Sequence, residues 1–290
     1  NHIGGRGDGV GKILYKHNHK ETEYDVFVPA SLPGERLTVQ PLSLTAQGIK
    51  AQIIELLLPS PDRHTPRCDA YPACGGCRFQ HWDETAIRNW KQNLAINFLD
   101  RSNVPIGNIR PFYSSPPKSR RRASFHLKCL ADTAIVGFRE YMGKHIIAPY
   151  GCVVLHPALL ELQKKLQQFA SAHFPAGFAA DAHANLLDQR SGGSHGGDIC
   201  LYLSPISGAP PFSPDVLAKL GDWAADVNLA RLSVNDCGSP MMLFAPEIPV
   251  ISFGKITVSP PPGAFLQATR DGEAVLQAAI AEIADADRHF

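Results

Sequence analysis

Three thiols fall within ten positions: Cys68, then, after five residues, Cys74-Gly75-Gly76-Cys77. A C-x-x-C turn offers two thiolates to one metal centre, and the intervening glycines let the backbone close tightly around it. Cys68 reaches the same point from the preceding loop. Cluster iron is held by four thiolates, so one more ligand must come from elsewhere. Cys129 lies in the strand-like stretch 125–130 and Cys200 in the apolar run 199–203, where each reads as a small core residue. Cys237 falls in a turn. Cys152 follows Tyr150-Gly151 in a loop just ahead of a helix that begins near Pro157, and it is the expected fourth ligand. Four-cysteine zinc sites more often combine two C-x-x-C units, and only one is present, so an iron–sulfur cluster is preferred to zinc. The spacing also departs from the C-x-x-x-C-x-x-C of radical enzymes that cleave S-adenosylmethionine.

The densest basic stretch is Lys118-Ser119-Arg120-Arg121-Arg122, followed by Phe125-His126-Leu127-Lys128. Three consecutive arginines cannot all share a strand's buried face, so at least one must point outward. The planar guanidinium suits phosphate, and neighbouring aromatic or imidazole rings stack on unpaired bases. The stretch therefore reads as an RNA contact through Lys118, Arg120, Arg121, Arg122 and His126. Its other reading is a solvated turn with one structural ion pair. Arg139, Lys144 and His145 are weaker candidates. His17, His19 and His195 sit in polar or glycine-rich loops and form no metal pattern. Gly5-Arg-Gly7-Asp-Gly9-Val-Gly11 has neither a strand before it nor a helical pattern after it, so it reads as a loop rather than a dinucleotide site.

The chain of 290 residues carries a net charge of +1, 44% hydrophobic and 19% charged residues, an ordinary globular balance with no global field for a polyanion. No apolar run approaches the ~20 residues of a membrane span, and the N-terminus lacks the pattern of a signal peptide, so a cytoplasmic location and no membrane partner are expected. Seven cysteines, an odd number, fit metal binding in a reducing compartment better than disulfides. The chain starts without methionine and stops at Phe290 just after a helix, and is expected to be a fragment of something longer.

Three segments must position these groups. Residues 1–58 read as a small β-barrel of the OB type, with strands at 12–15, 23–28, 35–41 and 48–58. Residues 59–255 read as an α+β domain. It opens with the cysteine loop and a helix over 83–100, capped by Asp83, with Ile87, Trp90, Leu94 and Phe98 lining one face. Paired strands follow at 122–130 and 134–140, then a helix from Pro157 that buries Leu159, Leu160, Leu166 and Phe169. Two strands across 185–203, a helix over 214–227 and strands at 231–234 and 241–244 complete it. Residues 256–290 run from Phe265-Leu266-Gln267 into a helix over 270–286.

Taken together, Cys68…Cys74-Gly-Gly-Cys77-Arg-Phe-Gln80-His81, behind Pro59-Ser-Pro-Asp-Arg63 and a barrel containing Val28-Pro-Ala-Ser-Leu-Pro-Gly-Glu35, resemble the RNA 5-methyluridine methyltransferases that act on ribosomal RNA. The resemblance extends to residues 119–127, Gly137-Phe-Arg-Glu140, Cys152 and Phe265-Leu-Gln267. It implies a TRAM barrel at 1–58 that binds RNA, a central domain at 59–255 with a [4Fe–4S] cluster on Cys68, Cys74, Cys77 and Cys152, and the start of a truncated Rossmann-like α/β methyltransferase domain at 256–290. It implies S-adenosylmethionine as cofactor, contacted by Gln267, and a monomer acting on uridine C5 of 23S rRNA. The family motif F-x-Q-x-N here ends in Thr269. The glycine-containing cofactor loop and the cysteine that adds to uracil C6 are expected beyond Phe290, so no residue of this chain is assigned as catalytic. The rival readings are a transfer-RNA uridine-C5 methyltransferase, a radical methylthiotransferase, and a non-catalytic RNA-binding protein with a structural metal centre.

Overall fold

A computed structural model describes residues 2–17, 20–107, 109–187, 189–190, 198–236 and 238–286. The chain forms two compact units, one of Asn1–Arg67 with Cys77–Phe112, the other of Cys68–Gly76 with Tyr113–Phe290. Both units cut across the three segments drawn from the sequence. The first segment shares its unit with the helix that follows the cysteines, and residues 256–290 share a unit with the central strands.

In the smaller unit, strands β1 (His2–Ile3), β2 (Gly9–His17), β3 (Lys20–Val28), β4 (Arg36–Thr45) and β5 (Gly48–Leu58) form one sheet in the order β1-β2-β3-β5-β4. Its neighbours are antiparallel except β3 and β5. Alternation of apolar residues places Val26, Val28, Ile49 and Ala51 in a common core. Pro41, which cannot donate to a ladder, sits on the outer strand β4 beside a shift in register. Gly9 opens β2 where a Cβ would lie 2.0 Å from the Ser31 hydroxyl. Gly9 of the glycine-rich run thus permits close backbone approach.

Helix α1 (Glu84–Arg101) starts at Asp83, whose side chain accepts from the Ala86 amide. The face of four apolar residues is unevenly covered: Ile87 and Trp90 pack near Ile3, Leu32 and Trp82, but Leu94 and Phe98 are exposed. The first half of the helix meets a cluster in which Phe79, Trp82 and Trp90 have ring centroids 5.2–5.8 Å apart.

A buried clamp ties the end of the sheet to the following loop. Glu35 accepts from the Leu32 amide at 2.8 Å, the Ser60 amide at 3.3 Å and both Nε and Nη2 of Arg63. Arg63 also donates to the Ala30 carbonyl at 2.7 Å.

The larger unit contains β6 (Arg122–Cys129), β7 (Ala134–Arg139), β8 (Ile146–Ile147), α2 (Pro157–His173), β9 (Ala179–Leu187), β10 (Gln189–Arg190), β11 (Asp198–Pro205), α3 (Pro214–Asp226), β12 (Arg231–Asp236), β13 (Ser239–Phe244), β14 (Pro249–Phe253), β15 (Ile256–Val258) and α4 (Arg270–Ala286). Seven strands pair as β13-β12-β11-β9-β6-β7-β8, and β10-β14-β15 form a small second sheet. Within the seven, β11 and β12 run parallel, joined through α3.

Helix α2 begins where the sequence places it, with Pro157 at N1 and His156 accepting from the Ala158 amide. It buries Leu159, Leu166 and Phe169 as expected, while Leu160 is half-buried and Leu162 and Gln163 are buried in addition. Helices α2 and α3 cover one face of the large sheet, over a core that includes Phe125, Leu127, Val136, Leu201 and Leu232. Strands β8, β14 and β15 are too short or too proline-flanked for the sequence pattern to show. The turn that carries His195 and the residues His19 and Cys237 lie outside the described residues. His17 closes β2 rather than standing in a loop.

Candidate RNA and cofactor site

The arginine triplet enters β6, and alternation along a strand decides where each side chain goes. Lys118 is exposed, with a positive φ of 58° and its amide bonded to the Val153 carbonyl at 2.9 Å. Arg120 and Arg122 are half-buried, and Arg120 Nε donates to the Arg122 carbonyl at 3.0 Å. Arg121 turns inward and is 4% exposed. Its guanidinium forms an ion pair with Glu273 of α4, and its Nε donates to the Gln267 carbonyl at 3.3 Å. Its amide donates to the Ala268 carbonyl at 2.8 Å. The structural ion pair falls to Arg121, while Arg120 and Arg122 remain partly accessible.

The segment 260–269 lies across the strand ends, held by side chains from three neighbouring strands. Asn185 Nδ2 donates to the Ala264 carbonyl at 2.9 Å, and Arg231 Nη1 donates to the Pro260 carbonyl at 2.7 Å. The Arg122 guanidinium stacks over the Phe265 ring, 4.1 Å from its centroid. Burial, with Arg120 nearby, lowers the Arg122 pKa from its ordinary value. Leu266 is buried against Leu187, Cys200, Ala230 and Ile251. Arg121 grips Gln267 through its main-chain carbonyl, so the half-buried side-chain amide is not needed to hold the segment. Thr269 ends it: its hydroxyl accepts from the Gly272 amide at 3.2 Å and lies 2.7 Å from the Ser115 hydroxyl. Thr269 thus acts as a cap on α4. Asparagine, which the family motif has there, is also a favoured capping residue, so the departure leaves the local structure intact.

The cysteine loop docks on the end of β7. The Gly75 amide donates to the Arg139 carbonyl at 2.9 Å, the Tyr141 amide to the Ala73 carbonyl at 2.8 Å, and Cys74 bridges to Glu140. A Cβ on Gly75 would lie 2.8 Å from the Arg139 oxygen. Cys68, Cys74 and Cys152 are buried and belong to the larger unit, and Cys77 is half-buried where the chain returns to the smaller one. Cys152 packs in the core of the large sheet, and the residues after it, Val153 and Val154, accept from the Lys118 and Arg120 amides at 2.9 and 3.1 Å. Among the described residues, no three His, Cys, Asp or Glu side chains are close enough together to hold a metal ion. The two other described cysteines behave as expected of core residues. Cys200 is buried, and burial pushes the Cys129 thiol up to about 11.

His126 is half-buried, its Nδ1 2.6 Å from Asp181 Oδ1. It borders an open cleft of about 300 Å³ lined also by Gly75, Gly76, Phe138, Arg139 and Tyr141. The contacts across β6, β9 and β12 to the 260–269 segment were not visible in the sequence. They join residues far apart in the chain and have no motif of their own.

No protein-family model matches the chain. Over 278 residues, 96% of its length, the chain is 28% identical to an uncharacterized RNA methyltransferase of Brucella suis, of which it spans 60%. The chain is homologous to proteins named RNA methyltransferases. Within that class, it is 37% identical over 153 residues to the 23S rRNA (uracil(1939)-C(5))-methyltransferase of Chromohalobacter salexigens, a match that covers 52% of the chain and 32% of that protein. Among solved structures, the tRNA (uracil-54, C5)-methyltransferase of Pyrococcus abyssi, in complex with S-adenosyl-L-homocysteine, aligns with a TM-score of 0.60 at 16% identity. That match covers 96% of this chain and 65% of the other, and shows a shared fold. No helix among the described residues is long and apolar enough to cross a membrane.

Proposed function

We propose that the chain is part of an S-adenosylmethionine-dependent RNA uridine-C5 methyltransferase acting on 23S rRNA. The observation that carries this reading is the Phe265-Leu266-Gln267 segment. It is held against β6 and β9 by Arg121, Arg122 and Asn185, in a chain whose similarity to RNA methyltransferases covers almost its whole length. S-adenosylmethionine would supply an electrophilic methyl group. Gln267 would contact it, on a main chain that Arg121 keeps in place, and Arg122 with Phe265 would present a cation and a ring to the target nucleotide. Residues 1–58 would bind RNA as a TRAM-type barrel, with Lys118, Arg120 and His126 as further contacts. Uridine C5 is a weak nucleophile. Transient addition of a cysteine to C6 would make it reactive, and no cysteine of this chain is assigned that role.

Methyl transfer from S-adenosylmethionine to 23S rRNA, with tritium released from uracil C5, is the expected activity of the complete gene product. Gln267→Ala should lower kcat/KM by about tenfold or more, equivalent to about 1.4 kcal/mol. Loss of tritium from no uridine would refute the reading.

For the metal, we infer a [4Fe–4S] cluster on Cys68, Cys74, Cys77 and Cys152. The reading is supported by their spacing, by the burial of three of them, and by the free thiols of Cys68 and Cys152. The described side chains do not converge into a cage, so no chemical step is assigned to the cluster. Ligand closure would accompany cluster binding, as expected when metal binding and local folding are coupled. Protein purified without oxygen should contain iron and acid-labile sulfide, with Cys152→Ser losing both and Cys129→Ser losing neither. Zinc without sulfide would sink this assignment.

A further inference from the structure

The large sheet has one face under α2 and α3. The opposite face carries a second, unassigned arrangement of polar and aromatic groups. Registers across β6, β9, β11 and β12 set side chains on that face in rows. The row Arg122–Asn185–Cys200–Arg231 lies under the segment 260–269. The next row is Ser124–His183–Tyr202–Ser233, and the one after it runs His126–Asp181–Ser204.

In these two rows, the His183 and Tyr202 rings stack with centroids 6.2 Å apart and planes 22° from parallel. Ser124 Oγ lies 3.1 Å from His183 Nδ1 and fixes the imidazole from one side. His126 Nδ1 lies 2.6 Å from Asp181 Oδ1, so each of these side chains has a partner within the row. Lys128 and Arg139 are exposed at the β6–β7 side. Gly263 stands at φ 70° where a Cβ would meet the Tyr202 ring at 3.0 Å. The held segment therefore runs alongside Tyr202, and the rows continue directly from Arg122 and Phe265.

We propose that this sheet face is a docking platform for unpaired RNA nucleotides, with a base stacked at the His183–Tyr202 pair and neighbouring phosphates met by Lys128 and Arg122. The inference rests on the reading that the protein acts on RNA, and it locates where RNA beyond the target nucleotide is held. Ser233 is buried, so the accessible part of the face is on β6, β9 and β11; its rings, the Ser124 hydroxyl and cations match the chemistry of single-stranded RNA, whose bases are free to stack and hydrogen-bond along their edges. An A-form duplex keeps its bases stacked inside and offers no face to the rings.

The test is fluorescence anisotropy of the full chain with a labelled single-stranded oligouridylate and with a duplex of equal length. Tyr202→Ala should weaken oligouridylate binding by about tenfold with an unchanged salt slope, because stacking is lost and no phosphate contact is. Tyr202→Phe should retain wild-type affinity, which separates loss of stacking from loss of folding. Lys128→Gln should reduce the salt slope by about one. The proposal is overturned if wild-type protein binds the oligouridylate and Tyr202→Ala binds it equally well, or if Tyr202→Phe is as weak as Tyr202→Ala. Preference for the duplex overturns it too. Met242 of β13 is exposed and pairs with Ser233, so self-association abolished by Met242→Glu with RNA affinity unchanged would assign the face to a second copy of the chain. Absence of any RNA binding by wild-type protein would defeat both this inference and the methyltransferase reading.

Discussion

Replacing Arg121 with alanine is expected to lower the stability of the larger unit by about 3–5 kcal/mol, the usual cost of removing one partner of a buried ion pair. The Arg121 side chain is 5% exposed and that of Glu273 14%, so the carboxylate left behind has little access to water. The same substitution removes the donor to the Gln267 carbonyl and frees the segment ahead of α4. Arg122→Ala, at the very next residue but half-buried and stacked on an exposed ring, should cost only about 0.5–1 kcal/mol. Urea unfolding of the two variants side by side measures the contrast. The double variant Arg121→Met with Glu273→Leu should recover much of the loss, since apolar replacement of both partners removes the stranded charge. Equal small losses for Arg121→Ala and Arg122→Ala would show that the ion pair contributes little.

This contrast bears on RNA binding. Charge reversal at Arg120 or Arg122 should weaken RNA affinity and flatten its salt dependence without unfolding the protein. Charge reversal at Arg121 would place two acids together in a buried site and act through stability first. A triplet that reads as one basic patch thus divides into one buried and two partly accessible arginines, because successive residues of a strand face opposite sides.

Much of the fold was legible where a local rule acts alone. Asp83 and Pro157 mark the starts of α1 and α2 through capping and the fixed φ of proline, and alternation marks β6 and β7. Along α1, periodicity reports which residues share a face and not how much of that face is covered; Leu94 and Phe98 are exposed. The cysteine spacing and Gln267 stood out as motifs. The Arg121–Glu273 pair joins residues 152 positions apart, and the His183–Tyr202 stack exists only because β9 and β11 pair in one register. Neither leaves a pattern in a single sequence, since register is set by the pairing of whole strands.

The smaller unit should lose stability in two stages on acidification, the first controlled by His81. That imidazole is 1% exposed, and burial pushes its pKa down from 6.5 to about 4, with the Arg63 charge lowering it further and Glu35 opposing. Between pH 6.5 and about 4 the unfolded chain binds a proton that the folded one excludes, so stability must fall as pH falls through this window. A shift of this size corresponds to roughly 3 kcal/mol. The second stage belongs to Glu35. Burial raises its pKa, but the bonds from Arg63, Leu32 and Ser60 outweigh burial and leave it below 4.5. A depressed carboxylate contributes its stability above the unfolded value and loses it as pH falls through the folded one, so this stage begins only below about pH 4.5. Urea melts followed by tryptophan fluorescence suit the measurement, because Trp82 and Trp90 both sit in the aromatic cluster beside His81. His81→Phe should flatten the first stage and leave the second, whereas Glu35→Gln should do the reverse while lowering stability throughout, since Arg63 loses its charged partner. A wild-type stability that stays level from pH 6.5 to 4.5 would mean that His81 takes up its proton without opening the fold.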